Sequence, residues 1–262
     1  MGAWALFIYT IAGLGAGFAT GTIGLSAATI ITPMLVTFLK FPAYQAVTIS
    51  LMSDVLASAI AAITYARNKN IDYKTGILML AAIFIFTILG SWLSAFLPNH
   101  TLGGFAVVMT LLIGLNFIYS PLQYLTRFNP FNGKQESAKS HKIKTLGSGV
   151  YIGLNCGILG GGGGMIMLFV FTKLFHYNLK KSVGTSTFVM TFTALIGSLT
   201  HVAIGGIPTT MAVIVCVITT YIGARYAANF ANEAAELRVR KLTGRILTTL
   251  GIVMILFIIL FH

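Results

Sequence analysis

Eight apolar stretches alternate with short polar turns, at about residues 3–39, 43–66, 75–97, 102–125, 146–172, 182–203, 207–230 and 242–261. Each far exceeds the ~10 residues of a barrel strand, and a helix needs about 20 residues to cross hydrocarbon. The pattern predicts an all-α, polytopic membrane protein. Six stretches fit one crossing each. The first is too long for one ordinary helix, and both it and the fifth carry clusters of glycine.

Those clusters match. Gly13, Gly17, Gly21 and Gly24 recur, shifted by 136 residues, as Gly149, Gly153, Gly157 and Gly160. At that offset residues 13–72 lie over 149–208 with ten identities, and the stretch ends coincide. Gly90 falls over Gly223, and Gly114 over Gly251, with small shifts. The chain reads as two copies of one membrane unit, residues 1–126 and 146–262, joined by a polar linker at 127–145. Glycine tolerates positive φ and close approach, so each cluster predicts a break, near Thr20–Ser26 and Cys156–Gly164. Close helix packing is the alternative for glycines spaced by four.

Composition agrees: 56% of residues are hydrophobic and 8% charged, against about 25% charged in soluble domains. The net charge of +12 comes from 17 Lys and Arg against five acids. With eight single crossings, the basic residues divide nine against eight, which breaks the positive-inside rule. If the first and fifth stretches are hairpins that return to their own side, only Lys40 stands apart from the other sixteen. That arrangement puts the basic loops in the cytoplasm and both termini outside it. It also inverts one copy relative to the other, because three crossings separate the hairpins. Cys156 and Cys216 read as small core residues, and no metal-ligand cluster is present. No cleavable leader is expected, because Met1-Gly-Ala-Trp lacks a basic start.

GILGGGGGMIMLFVF, followed by KKSVGTSTFVMTFTALIGSLTHVAIGGI, and the first-copy counterpart FPAYQAVTISLMSDVLASAIAAITYARNKNID together resemble the sulfite exporter TauE/SafE family of membrane transporters. The resemblance covers about residues 5–260. It implies a carrier of small anions, especially sulfite, organosulfonates and related sulfur compounds, working outward across the bacterial inner membrane. The first copy departs from the pattern. Val-Thr-Ile-Ser at 47–50 stands where the second has Val-Gly-Thr-Ser at 183–186, and Leu25 and Ser26 replace glycines.

An oxyanion needs hydrogen-bond donors, and glycine elbows with half-helix N-termini present backbone N–H groups. The expected substrate residues are Thr20, Gly21, Thr22, Gly24 and Ser26 in the first hairpin, with Asn155, Gly157, Gly160, Gly161, Gly162 and Gly163 in the second. Ser50, Ser53, Thr185 and Ser186 follow on the next stretches. The alternative for the hydroxyls is a bond to their own helix. Asp54 is the only acid well inside an apolar stretch, which makes it the candidate ion-coupling residue; its repeat partner is Met190. Gln45 and Lys181 are repeat partners at the entrances. His201 reads as a belt or capping residue more readily than a proton relay.

The expected function is secondary transport with no cofactor. The partners are a small anion, the lipid bilayer and a coupling proton or cation, and a homodimer is compatible with the chain; nucleic acid is not expected. A passive channel or an uptake carrier are the transport alternatives. An intramembrane enzyme is disfavoured, because no Ser–His–Asp set or HExxH appears. No P-loop is present either.

Overall fold

The computed structural model describes residues 2–94, 96, 111, 112, 115, 138–159, 162–205 and 208–261. Regular structure among them is helical: α1 Ala3–Ile23, α2 Ala28–Leu39, α3 Ala43–Arg67, α4 Tyr73–Ser94, α5 Ala138–Leu159, α6 Gly162–Phe169, α7 Leu179–Gly205, α8 Thr210–Glu233 and α9 Glu236–Phe261. A π-helical turn, Val170–Leu174, extends α6. Five of these helices, α1, α3, α4, α7 and α8, are long and apolar enough to cross a membrane. The chain is a multi-pass membrane protein. Phe7, Ile77, Phe84, Leu199 and Ile218 face outward, where only lipid makes such a surface favourable. The stretch predicted at 102–125, with Gly114, lies almost wholly outside the described residues.

The first break falls where its glycine cluster places it: α1 stops at Ile23 and α2 starts at Ala28. The second expected break, between Leu159 and Gly162, lies outside the described residues. The helix boundaries differ from expectation at two polar edges. α5 begins at Ala138, so the end of the predicted linker is helical, with Thr145 donating to the His141 carbonyl at 2.7 Å. α9 begins at Glu236, six residues before its apolar stretch. Hydropathy marks where a helix enters lipid, and a helix continues into water wherever its residues tolerate it.

The glycine stripes set the helix crossings. α1 lies against α8: a Cβ on Gly17 would strike the Thr220 carbonyl, and one on Gly21 would come 2.5 Å from the Ala224 carbonyl. α5 lies against α4 in the same way, with Gly153 on Ile83 and Gly157 on Thr87 and Ser91. Small residues let the backbones touch, the main source of helix association in lipid. Contact positions rise together in both pairs, so each pair runs parallel.

α3 and α7 run antiparallel. Tyr44, at the start of α3, donates to the His201 carbonyl near the end of α7 at 3.3 Å. Gly184, near the start of α7, abuts the Asn70 carbonyl just past the end of α3. The offset of 136 also survives in local geometry. Lys40 and His176 both take positive φ, 56° and 55°. Beside them, the Phe41 N–H donates to the Leu35 carbonyl at 3.2 Å and the Tyr177 N–H to the Phe171 carbonyl at 2.9 Å.

Charge is polarised along the bundle. The α3–α4 turn carries Arg67 and Lys69, and it meets the start of α7 and the end of α8. Asn70 Nδ2 bonds Asn232 Oδ1 at 3.4 Å, and Lys180 Nζ donates to the Asn232 carbonyl. Lys40 lies at the opposite end, in the turn that leads into Tyr44.

Candidate functional site

The first elbow is built from one residue that only glycine suits and one side chain brought from a distance. Gly24 ends α1 with φ +68°, ψ 28°, a left-handed position that costs other residues energy. Its N–H donates to the Thr20 carbonyl at 3.0 Å. α2 then begins without a capping side chain of its own. Asp54, at the middle of α3 and 1% exposed, supplies the cap. Its Oδ1 accepts the Ala27 N–H at 3.0 Å, and its Oδ2 accepts the Ser26 hydroxyl at 2.5 Å. Ser26 Oγ in turn accepts the Ala28 N–H at 3.3 Å. A buried carboxylate is tolerable only with such partners, and the positive end of α2 favours it.

The first turn of α6 touches the first elbow. A Cβ on Gly164 would lie 2.5 Å from the Ser26 nitrogen, 2.7 Å from the Gly24 oxygen and 3.0 Å from the Leu25 carbonyl carbon. Ser186 closes the same spot from α7, its Oγ 2.6 Å from where a Cβ on Gly24 would sit. The first elbow, the start of α6, Asp54 and Ser186 thus form one buried contact. Gly160 and Gly161 lie outside the described residues. Gly162 opens α6, and Gly163 packs on Cys156.

The other expected residues divide. Thr20, Thr22, Ser53 and Asn155 bond carbonyls four residues back, at 3.0, 2.7, 2.9 and 2.8 Å. Ser50 does the same toward Ala46 but also reaches Thr32 Oγ1 on α2 at 2.8 Å. Gly21 and Gly157 seat neighbouring helices, and their carbonyls are held by Tyr65 and His201. Tyr65 carried no sequence signal beyond its register with His201. Thr185 lies apart from the elbows: its hydroxyl accepts the Asp72 N–H at 3.0 Å. Gln45 is exposed at the Lys40 end, and Lys181 lies at the opposite end of the bundle.

At that opposite end an ionic cluster joins the two turns. Asp72 Oδ2 accepts the Tyr177 hydroxyl at 2.6 Å, and Lys181 Nζ is 3.6 Å away. Lys181 also lies over the Tyr177 ring, 4.3 Å from its centroid. Partial burial pushes the Asp72 carboxyl up, but the bonds from Tyr177 and Thr75 and the Lys181 charge outweigh it and hold the group below the ordinary carboxylate range. Burial, then the bond to Asp72, raises the Tyr177 phenol. Among the described residues no group of His, Cys, Asp or Glu could hold a metal ion.

Comparison with known proteins supplies the identity that geometry alone does not. Over 225 residues the chain is 24% identical to a protein named "Probable membrane transporter protein YunE" from Bacillus subtilis (strain 168), covering 76% of this chain and 78% of that one. No solved structure matches the chain. The family described as sulfite exporter TauE/SafE matches residues 9–254. Matched to that family over nearly its whole length, this multi-pass helical chain belongs to the sulfite exporter TauE/SafE family of membrane transporters.

Proposed function

We propose that this transporter carries a small sulfur-containing anion through a site at the meeting of the two elbows, by alternating movement of two inverted repeats. The antiparallel passage of α3 and α7 and the parallel α1–α8 and α5–α4 pairs support inversion. The basic end, with Lys181 at its mouth, is read as cytoplasmic, and the Lys40 end, with both termini and Gln45, as external. The inner membrane is the expected location.

The observation that carries the reading is Asp54 on the amide end of α2. The carboxylate occupies two donors of the kind a substrate oxyanion needs. In the second repeat the positions matching Ser26, Ala27 and Asp54 are Gly162, Gly163 and Met190. No acid stands at the matching position, so α6 offers its N–H groups to a solute. Substrate at the elbow contact lies close to the Asp54 charge and favours its protonation, which ties proton to anion. A dianion leaving with one proton still carries a net negative charge outward. The membrane potential drives that step by about 2.3 kcal/mol per 100 mV. Backbone amides, Ser26 and Ser186 make up the innermost contacts of the proposed site.

The test is counterflow in liposomes holding the purified full-length protein, with sulfite, thiosulfate, taurine, sulfoacetate and oxalate offered in turn. Saturable exchange of a sulfur anion is expected. Flux that rises linearly without counterflow indicates a passive channel, and no flux of any of the five rejects the reading.

A further inference from the structure

Five buried side-chain polar atoms among the described residues lack a hydrogen-bond partner, and three of them belong to residues that meet around Gly157. These are Thr87 Oγ1, Ser91 Oγ and His201 Nδ1, each on a residue with no exposed surface. Gly157 fixes their proximity. The place of its missing Cβ is against the Thr87 carbonyl and 2.5 Å from the Ser91 nitrogen. Thr87 Cγ2 lies 3.6 Å from the corresponding point on Gly197, and His201 stands one turn further along α7. α4 and α7 run parallel here, since Gly76 meets Phe188 as Thr87 meets Gly197. Ser91 therefore comes level with His201.

The imidazole has a defined tautomer. His201 Nε2 lies 3.1 Å from the Gly157 carbonyl, which can only accept, so Nε2 carries the proton. Nδ1 is then an acceptor without a donor, on a residue that shares Gly157 with Thr87 and Ser91. Buried polar atoms are normally paired, and three orphans in one place mark a site that something polar completes. The matching positions of the first repeat, Tyr65, Thr220 and Ala224, form no such group; the Thr220 hydroxyl donates to the Cys216 carbonyl. The cluster is a feature of one half only.

We propose that Thr87, Ser91 and His201 form an oxyanion subsite on the Lys40 side of the elbows, loaded when His201 Nδ1 takes a proton. It rests on the anion-carrier reading and adds a second position on the route. The proton enters from water at that end, and no bond in the solute breaks. Protonated Nδ1 and the two hydroxyls give three donors toward one anion. The Tyr44 ring stacks on His201, 4.5 Å between centroids, and holds the imidazole plane in place. The groups that bear on its titration are Tyr44 and, further along, Asp54 on α3, and Cys156 beside Gly157 on α5. α4 brings the two hydroxyls.

Thiosulfate, dianionic across the range, is the probe. Its binding to the purified full-length protein is measured at pH 8 and pH 6 for wild type, His201→Gln and the Thr87→Val/Ser91→Ala double variant. Gln keeps an N–H for Gly157 but does not titrate, and melting profiles verify that each variant folds. Affinity about tenfold higher at pH 6 in wild type, with that pH ratio cut several-fold in His201→Gln to the part Asp54 supplies, and binding weakened at pH 6 in the double variant, supports the subsite. A pH ratio that survives undiminished in His201→Gln, or a double variant that binds like wild type, overturns it while leaving the carrier reading intact. Wild type that binds none of thiosulfate, sulfite, sulfoacetate and oxalate overturns both.

Discussion

Tyr65 and His201, 136 residues apart, make the same bond in the two halves of the molecule. The Tyr65 hydroxyl donates to the Gly21 carbonyl and His201 Nε2 to the Gly157 carbonyl, each at 3.1 Å. Gly21 and Gly157 are themselves separated by 136 residues. Each bond ties a carbonyl of a glycine-striped helix to a later helix of its own copy, and at Gly21 it satisfies a carbonyl that the end of α1 would otherwise leave exposed to a low-dielectric interior. Tyr65→Phe removes one of these ties and leaves a buried carbonyl short of a donor. The expected cost is about 1–3 kcal/mol, read as a lower thermal midpoint of the purified protein in detergent. An unchanged midpoint would show that the tie contributes nothing to stability.

Glycine substitutions separate packing from conformation. Gly17 has no positive φ, yet a Cβ there strikes the Thr220 carbonyl and comes 2.7 Å from the Ala224 nitrogen. Both obstacles are backbone and cannot rotate away. Gly17→Leu forces α1 off α8 and is expected to cost about 3 kcal/mol or more, since overpacking a tight site costs this much. Gly147, in α5, has nothing within 4 Å of its missing Cβ. Gly147→Ala is expected to stabilise by about 0.5–1 kcal/mol through helix propensity alone. Opposite shifts in midpoint for the two variants check both halves of the argument.

The first break, the offset and the buried acid were legible in sequence because each rests on residue type: glycine where backbone must bend or touch, a carboxylate where lipid forbids one. What each polar group bonds was not legible. Ser26 and Asp54 are 28 residues apart, and nothing in their spacing says that one accepts from the other. Thr20, Thr22 and Asn155 look like site donors in one dimension, but helix geometry aims each at the carbonyl four residues back. Thr185 stands beside the repeat-matched Ser186, yet it serves the Asp72 turn. The reach of α5 and α9 beyond their apolar cores was hidden for a simpler reason: hydropathy reports the solvent a helix crosses, and says little about where the helix ends.

The Asp72 cluster predicts a pH dependence with a definite sign. Its carboxyl is held below the ordinary range in the folded protein. A depressed pKa contributes stability that is present above the unfolded value, about 3.9, and is lost as pH falls through the folded value. Asp72→Asn should therefore lower the thermal midpoint more at pH 7 than at about pH 3, below the unfolded value, where the wild-type carboxyl begins to lose that contribution. A deficit of equal size at both values would assign the effect to packing rather than to the charge shared with Tyr177 and Lys181.

Asp54 gives the sharpest functional prediction. Asparagine at this position keeps the shape of the side chain and an oxygen for the Ala27 N–H, so α2 keeps a cap. It cannot take or release a proton. If Asp54 links proton to anion, Asp54→Asn exchanges labelled substrate across the liposome membrane but no longer accumulates it against an imposed pH gradient. Counterflow and gradient-driven uptake, measured on the same vesicles, separate the two steps. Loss of both would make Asp54 part of the structure of the first elbow, and retention of both would move coupling to another group. Ser26→Ala serves as the companion variant. It removes the hydroxyl that donates to Oδ2 at 2.5 Å while leaving the carboxyl able to titrate. Coupling should persist in it, because the carboxyl that takes and releases the proton is intact.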